Sequence, residues 1–290
     1  MPVANITELA NSNTIGNALS AVASPAFVKG TIAMNHLMAE DLPQLTNVKK
    51  FRKNGSLTAA IVAEATANAV DANGELTDTA ATCTAAKAVV VSGLSVEEQK
   101  FGTIDLARVG NEQFNAIARY VDDDWLSQFS NLSTVITSTS VMTIDDIMQG
   151  QLAIYNAKCP NQEVPLSIIL GPKAVYNIKK EIIQSGAAAF ANSAMLGVFG
   201  GQPVQANGLV GSITGVGDVY QTTGFATGGG DDTQAIVHPM WAHCGIFDTA
   251  PVSWLSNKGS EGFYTEVASY YFYDIAEWND GAGAALKSDS

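Results

Sequence analysis

The stretch ARVGNEQFNAIARYVDDDWLSQF, residues 107–129, has the clearest helical pattern in the sequence and decides the fold. Its large apolar residues recur at steps of three and four: Phe114, Ile117, Val121, Trp125 and Phe129. Residues at this spacing share one face of an α-helix. The pattern therefore predicts a long amphipathic helix over residues 103–132, with the aspartates 122–124 on a solvated acidic face.

The chain after this helix predicts a compact α/β unit over residues 142–245. Thr143 is placed to cap a helix that runs to about Ala157, because the following aspartates favour its N-terminal dipole. An apolar run at 165–170 predicts a buried strand, followed by a second helix at 174–184. Further strands of this unit are expected at 203–206, 216–221 and 234–238. Beyond the unit, a strand is expected at 263–275, and the tail 281–290 is expected to be a strand edge or a loose end.

The chain before the helix predicts an arm and a hairpin. Residues 1–45 lack the large apolar residues for a core of their own, although short helices are expected at 6–10 and 32–42. Residues 46–101 predict a long hairpin, with the turn signal Asn73-Gly74 in a small, polar middle and a returning strand at 87–92. Because a lone hairpin is marginal in water, support from outside the chain is expected.

Composition restricts the function classes. Only 15% of the 290 residues are charged, against roughly 25% in ordinary soluble domains, which indicates a surface buried against other chains. The net charge of -13 argues against nucleic-acid binding. The N-terminus has no signal-peptide pattern, and no apolar run is long enough to span a membrane. Three cysteines without a closely spaced pair predict reduced thiols.

No motif predicts a catalytic, cofactor or metal site. His238 and His243 beside Cys244 fit two ordinary histidines better than a metal site, because a spacing of five places them on opposite faces of a strand. The glycine and aspartate run 228–232 lacks the Lys and Ser or Thr of a phosphate loop and is expected as a surface loop. A Gly-x-Ser-x-Gly elbow is absent from the sequence.

Four further stretches, together with residues 107–129, carry a family resemblance. They are LTAAIVAEATA (57–67), TIDDIMQGQLAIYN (143–156), PLSIILGPKAVYNIKKE (165–181) and YYFYDIAEWNDGAGAALKSD (270–289). In this order they resemble the major capsid proteins of tailed bacteriophages, which have the Hong Kong 97-type fold. The resemblance covers nearly the whole chain.

The resemblance implies an α+β fold with four parts. These are an N-terminal arm (1–45), an extended β-hairpin loop (46–101), a peripheral domain with a long spine helix (102–141 and 246–290) and an α/β axial domain (142–245). It implies a structural subunit, not an enzyme, that needs no cofactor. Such a subunit assembles with itself into hexamers and pentamers of an icosahedral head around the DNA genome. It is made in the host cytoplasm and ends in the virion.

The resemblance also implies partners and contact residues. A separate scaffold protein, a portal and decoration proteins are the expected partners. The expected assembly contacts are Glu64, Asn73 and Gly74 on the hairpin and Ala189, Phe190 and Phe199 near the capsomer axis. The stretch 182–217 carries no charged residue, which suits a symmetric junction because like charges would repel there, although a buried loop within one subunit is the alternative.

Two further possibilities stay open at this point. A lysine–asparagine isopeptide bond between subunits is conceivable in this type of protein, and no feature of the sequence selects a pair among Lys49, Lys50, Lys53, Lys87, Lys100, Asn257 and Asn279. The rival functions are an encapsulin-like cargo compartment, an α/β enzyme with a small ligand, and a tail-tube or fibre protein, although the long helix argues against the last.

Overall fold

The computed structural model describes residues 31–54, 78–95, 106–138, 141–157, 164–184, 208–213, 215–225, 232–257 and 264–288. The helices within these ranges are α1 (Leu106–Ser127), α2 (Ile144–Asn156) and α3 (Pro172–Gln184). The strands are β1 (Met38–Asp41), β2 (Val48–Asn54), β3 (Asp78–Thr84), β4 (Ala86–Ser95), β5 (Val135–Ser138), β6 (Leu166–Leu170), β7 (Leu209–Ile213), β8 (Gly217–Gln221), β9 (Asp232–Val237), β10 (His243–Phe247), β11 (Val252–Asn257), β12 (Tyr264–Glu277) and β13 (Gly283–Ser288). The expected helix 6–10 and strand 203–206 lie outside the described residues.

Helix α1 confirms the prediction from periodicity, and a 3-10 turn at Gln128–Asn131 extends it. All five apolar residues of the predicted face are buried, and Trp125, Phe114 and Phe129 are among the largest wholly buried side chains. The prediction for Asp122 is wrong, because this residue is buried rather than solvated. Its carboxylate accepts backbone N–H groups of Ile32 and Ala33, which accounts for its place in the interior.

Strand β12 is the centre of one sheet and confirms the strand expected at 263–275. Strand β4 runs antiparallel along one side of it, and β11 and β10 pair with successive parts of the other side. Strand β1 lies parallel to β10, so the expected helix 32–42 is wrong. Only a short 3-10 turn, Ala33–Asn35, forms there, because Asp122 and β10 supply the backbone partners of this segment.

The second sheet has the strand order β5-β13-β9-β6-β8-β7 among the described residues. Strand β6 is buried throughout, and β8, β9, α2 and α3 lie where the sequence predicted them. Thr143 and Asp146 form a capping box at the start of α2, in which each side chain accepts the other's backbone N–H. The tail prediction is wrong, since β13 is an interior strand between β5 and β9.

Strands β2 and β3 form the described part of the hairpin. A strand does form at 87–92, as part of β4, but it is not the returning strand of the hairpin, because β3 pairs with β2 and the chain then continues after Ala85 into the β12 sheet. Small residues at Ala85 and Ala86 let the chain pass directly from one sheet to the other. Within the described ranges, no helix is long and apolar enough to cross a membrane.

Candidate assembly surfaces

The six residues expected to make assembly contacts lie outside the described residues. They are Glu64, Asn73, Gly74, Ala189, Phe190 and Phe199, and their roles stay predictions. The glycine run 228–230 and Asp231 also lie outside that range, whereas Asp232 begins β9. The surfaces that the structure does describe were not predicted from the sequence.

The histidines are core residues. His243 is wholly buried, and its ring lies against Trp125 and Phe129 at centroid distances of 6.3 and 5.8 Å. Burial lowers the pKa of His243 to about 4, so the ring is neutral at pH 7. His238 follows β9 rather than sharing a strand with His243. In the part of the chain that the structure describes, no three His, Cys, Asp or Glu residues are grouped to hold a metal.

A shallow cleft of about 500 Å³ lies between β4 and α1. Its ionisable residues are Lys87, Tyr120, Asp124, Tyr273 and Asp274. Tyr273 donates a hydrogen bond to Asp124, and burial followed by the Asp124 charge raises the pKa of Tyr273. Burial likewise raises the pKa of Asp124. The hydroxyl of Tyr273 therefore holds the carboxylate of Asp124 in place.

The β2–β3 hairpin is attached to its own chain by side chains. Lys53 Nζ donates to Asn279 Oδ1 at 2.5 Å, and Lys49 forms an ion pair with Glu40. The backbone N–H of Thr84 donates to Asp274 Oδ2 at 2.5 Å. The described base of the hairpin is thus supported from within its own chain, and the expected support from outside stays a prediction for the rest of the hairpin. Lys53 and Asn279, both considered for a bond between subunits, are hydrogen-bonded within one chain.

A small apolar cluster joins the hairpin to the β12 sheet. Phe51, Cys83 and Ala85 from the hairpin side pack with Cys244 and Ile246 of β10. Cys83 Sγ lies 3.8 Å from Cys244 Sγ, and both residues are wholly buried free thiols. This pair could not be predicted from the sequence, because the two cysteines are 161 positions apart.

An exposed apolar stripe runs along α2. Met148, Leu152 and Tyr155 are exposed at steps of four and three, which places them on one face of the helix, and Leu152 is 58% exposed. The opposite face packs on the second sheet through Ile147 and Ile154. Helix and sheet approach closely at Gly150, where a Cβ would lie 2.8 Å from Ile236 Cδ1. Helix α2 is thus apolar on two faces, and only one of them is buried within the chain.

A second exposed apolar surface crosses the β12 sheet. The strand register places Val89, Tyr270 and Val252 in one row across β4, β12 and β11, and Val91, Ala268 and Trp254 in the next. We call these six residues the outer patch. Trp254 is 59% exposed, Val89, Val91 and Val252 are also exposed, and Ala268 and Tyr270 are half-buried.

The other face of these strands packs on α1. Ser269 Oγ donates to Gln113 Oε1 at 2.6 Å, and Gln113 Nε2 donates to the Val267 carbonyl at 2.8 Å. Val90 packs against the core from the same side. Since alternate residues of a strand face opposite ways, the outer patch points away from α1. Every residue of the run Ala88–Val91 is apolar, so both faces of this part of β4 are apolar, and this was the sequence signal for the second face.

Solved structures of low sequence identity superpose on nearly the whole chain. The mature capsid of bacteriophage PhiM1 matches with a TM-score of 0.63 and 12% identity over 90% of this chain and 87% of that chain. The capsid of a native GTA particle matches with a TM-score of 0.69 and 9% identity over 90% and 91%. The capsid of Helicobacter pylori bacteriophage KHP30 matches with a TM-score of 0.62 and 10% identity over 93% and 91%.

The chain has a phage capsid fold. The expected α+β class and Hong Kong 97-type capsid fold are therefore confirmed. No protein-family model matches the sequence, and no curated protein matches it. The capsid fold is thus evident in the arrangement of α1 and the two sheets, while the sequence itself has diverged to about one residue in ten in common with the structures compared.

Within this capsid fold, the outer patch and the α2 stripe lie on different sheets. The patch belongs to the β12 sheet, and α2 covers the sheet that contains β6. Large contiguous apolar surfaces on soluble proteins mark sites of contact with other proteins. Two such surfaces on separate elements are therefore the candidate places for contact with other chains.

Proposed function

We propose that this chain is the structural subunit of an icosahedral phage head. In this proposal it assembles with itself into hexamers and pentamers, and the resulting shell encloses the DNA genome. The observation that carries the proposal is the outer patch, an exposed apolar surface on three strands of a capsid fold. Such a surface costs free energy when it faces water, and burial against another chain removes that cost.

The domain assignment is part of the same proposal. We infer an arm at 1–45, an extended loop at 46–101, a peripheral domain from 102–141 with 246–290, and an axial domain at 142–245. Strands β5 and β13 come from the peripheral segments, yet both belong to the sheet that contains β6 of the axial segment. Shared sheets of this kind fit a subunit whose two domains move little relative to each other.

The proposed subunit is not an enzyme and needs no cofactor. Charge supports a container, because a wall with a net charge of -13 does not cling to packaged DNA. A separate scaffold protein, a portal and decoration proteins are the proposed partners. The proposed place of assembly is the host cytoplasm, and the final location is the virion.

Assembly of the purified protein tests the proposal. We expect capsomers or shells in negative-stain micrographs and rapid sedimentation, from the chain alone or with its scaffold protein. A stable monomer under all salt conditions with scaffold supplied would overturn it. An encapsulin-like compartment remains the rival with the same fold, and genes next to this one distinguish the two: a cargo enzyme for a compartment, portal and packaging proteins for a phage head.

A further inference from the structure

A pair of buried cysteines lies between the hairpin and the β12 sheet. Cys83 lies on β3 and Cys244 on β10, and their sulfurs are 3.8 Å apart. A disulfide bond is about 2.05 Å long, so the sulfurs have to approach by roughly 1.8 Å. Rotation of the two side chains within the cluster of Phe51, Ala85 and Ile246 is the movement that the bond would require.

The position of the pair gives such a bond a consequence. Among the described residues, β2 and β3 pair only with each other and share no backbone ladder with the β12 sheet. Their attachment rests on side-chain contacts such as Lys53 with Asn279. The chain joins β3 to β4 through Ala85, and a bond between Cys83 and Cys244 would add a second covalent link, from β3 to β10.

We propose that Cys83 and Cys244 are a redox-active dithiol that closes to a disulfide and locks the base of the hairpin onto the sheet. The oxidant is a small-molecule disulfide of the oxidised-glutathione class. The proposal concerns a single chain and does not depend on shell assembly.

The reaction begins when β3 lifts from β10, because both thiols are wholly buried while the strands are together. Segments held by few contacts open locally before the whole protein unfolds. The Cys83 thiolate then attacks one sulfur of oxidised glutathione, and one glutathione thiolate leaves. As β3 returns, the Cys244 thiolate attacks Cys83 Sγ in the mixed disulfide and displaces the second glutathione. The pair loses two protons and two electrons, and one glutathione disulfide is reduced to two thiols.

Burial also explains why the closed, reduced pair is unreactive. Hydrogen bonding with Cys83 and burial raise the pKa of Cys244, so its thiolate is scarce in the folded interior. A reducing environment therefore keeps the pair as thiols, and oxidation requires both an oxidant and an opening of the hairpin. The dithiol of Cys83 and Cys244 is therefore expected to form its disulfide only outside a reducing compartment.

Oxidation of the folded full chain tests the proposal. The Cys159→Ser variant serves as the starting protein, so that the third cysteine does not react. It is incubated with oxidised glutathione, denatured in acid, and alkylated. We expect a mass lower by two hydrogen atoms, no alkylation at Cys83 or Cys244, and a linked peptide pair that contains both residues. The Tm should rise by about 5–10 °C and fall back with dithiothreitol.

The control carries Cys83→Ser in the same background. It should show neither the mass loss nor the rise in Tm, while stable mixed disulfide with glutathione accumulates at Cys244. Full alkylation of both cysteines in the starting protein, after long oxidation and in low denaturant that populates the open hairpin, would overturn the proposal. A disulfide that joins two chains in place of the internal bond would also overturn it. If Cys83→Ser fails to fold, the comparison of oxidised and reduced starting protein decides alone.

Discussion

The carboxylate of Asp122 accepts the backbone N–H of Ala33 at 2.9 Å, although the two residues are 89 positions apart. The same carboxylate accepts the N–H of Ile32 at 2.9 Å. Helix α1 therefore fixes the chain that enters β1. Burial raises the pKa of Asp122 from its ordinary 3.8 to about 6, although the hydrogen bonds to Ala33 and Ile32 oppose this rise.

Asp122→Asn should change how stability depends on pH. The folded state holds the Asp122 proton up to about pH 6, whereas the unfolded chain releases it near 3.8. The free energy of unfolding of the wild type should therefore fall as pH rises between these values, by about 3 kcal/mol at most. The amide side chain of the variant does not titrate, so the variant should lose this part of the slope. Denaturant unfolding at several pH values measures it.

The neighbouring Asp123→Asn is the matched control. Burial also raises the pKa of Asp123, but this residue is exposed on α1, and solvent screens its charge. Its substitution should change the slope much less. Unfolding curves of Asp122→Asn that run parallel to those of the wild type at every pH would contradict the role given to this carboxylate.

Ile117→Asp should unfold the subunit. Ile117 is 1% exposed on the buried face of α1, and an unpaired charge there should cost about 3–4 kcal/mol. Asn115→Asp places the same charge on an exposed position of the same helix and should leave the Tm nearly unchanged. Circular dichroism and yield of soluble protein measure both. A soluble Ile117→Asp with wild-type melting would mean that this face is not core.

Leu152→Lys should block assembly without loss of folding. The lysine introduces a charge at the centre of the α2 stripe, where a partner chain would have to desolvate it. Gln149→Lys adds the same charge to an exposed position one turn earlier, where it keeps a contact with Asp145. We expect normal circular dichroism from both variants and loss of capsomers only from Leu152→Lys, measured by sedimentation. Equal assembly of the two would remove the stripe from the interface.

Limited proteolysis tests the predicted contacts of the hairpin residues Glu64, Asn73 and Gly74. We expect cleavage between residues 64 and 77 in free subunits, because small polar residues there offer little packing, whereas Asp78 onwards is paired with β2. In assembled shells this segment should be protected by the neighbouring subunit. Equal cleavage rates in free subunits and shells would show that the hairpin does not dock on a neighbour.

Phe199→Asp tests the predicted axial contact of Ala189, Phe190 and Phe199. If the uncharged stretch surrounds a symmetry axis, the charge is repeated in every copy, and capsomers should fail to form although the subunit folds. If the stretch is a buried loop, the subunit itself should unfold. Circular dichroism and electron microscopy distinguish the two results, and normal shells would contradict both.

Patterns with local causes could be predicted from the sequence. The face of α1 follows from the spacing of Phe114, Ile117 and Val121, and the start of α2 follows from Thr143 and Asp146. Both depend on residues within one or two helical turns. The capsid fold itself was recognisable because several such local patterns occur in a definite order along the chain.

Pairings between distant segments could not be predicted. Strand β1 forms because Met38–Asp41 meets Cys244–Phe247, and nothing within residues 32–42 encodes that partner. The outer patch likewise depends on the register that aligns Val91, Ala268 and Trp254. The contact of Cys83 with Cys244 has the same origin. Contacts between distant segments therefore became evident only in the tertiary structure, whereas α1, α2 and α3 could be predicted from local patterns in the sequence.

The position of β13 has a consequence for synthesis on the ribosome. This strand, Gly283–Ser288, lies between β5 and β9 and supplies the backbone partners of both. Within the described residues, every other strand of that sheet precedes β13 in the chain, and β5 and β9 are joined only through it. We therefore expect the second sheet to close as one unit only after β13 has been synthesised.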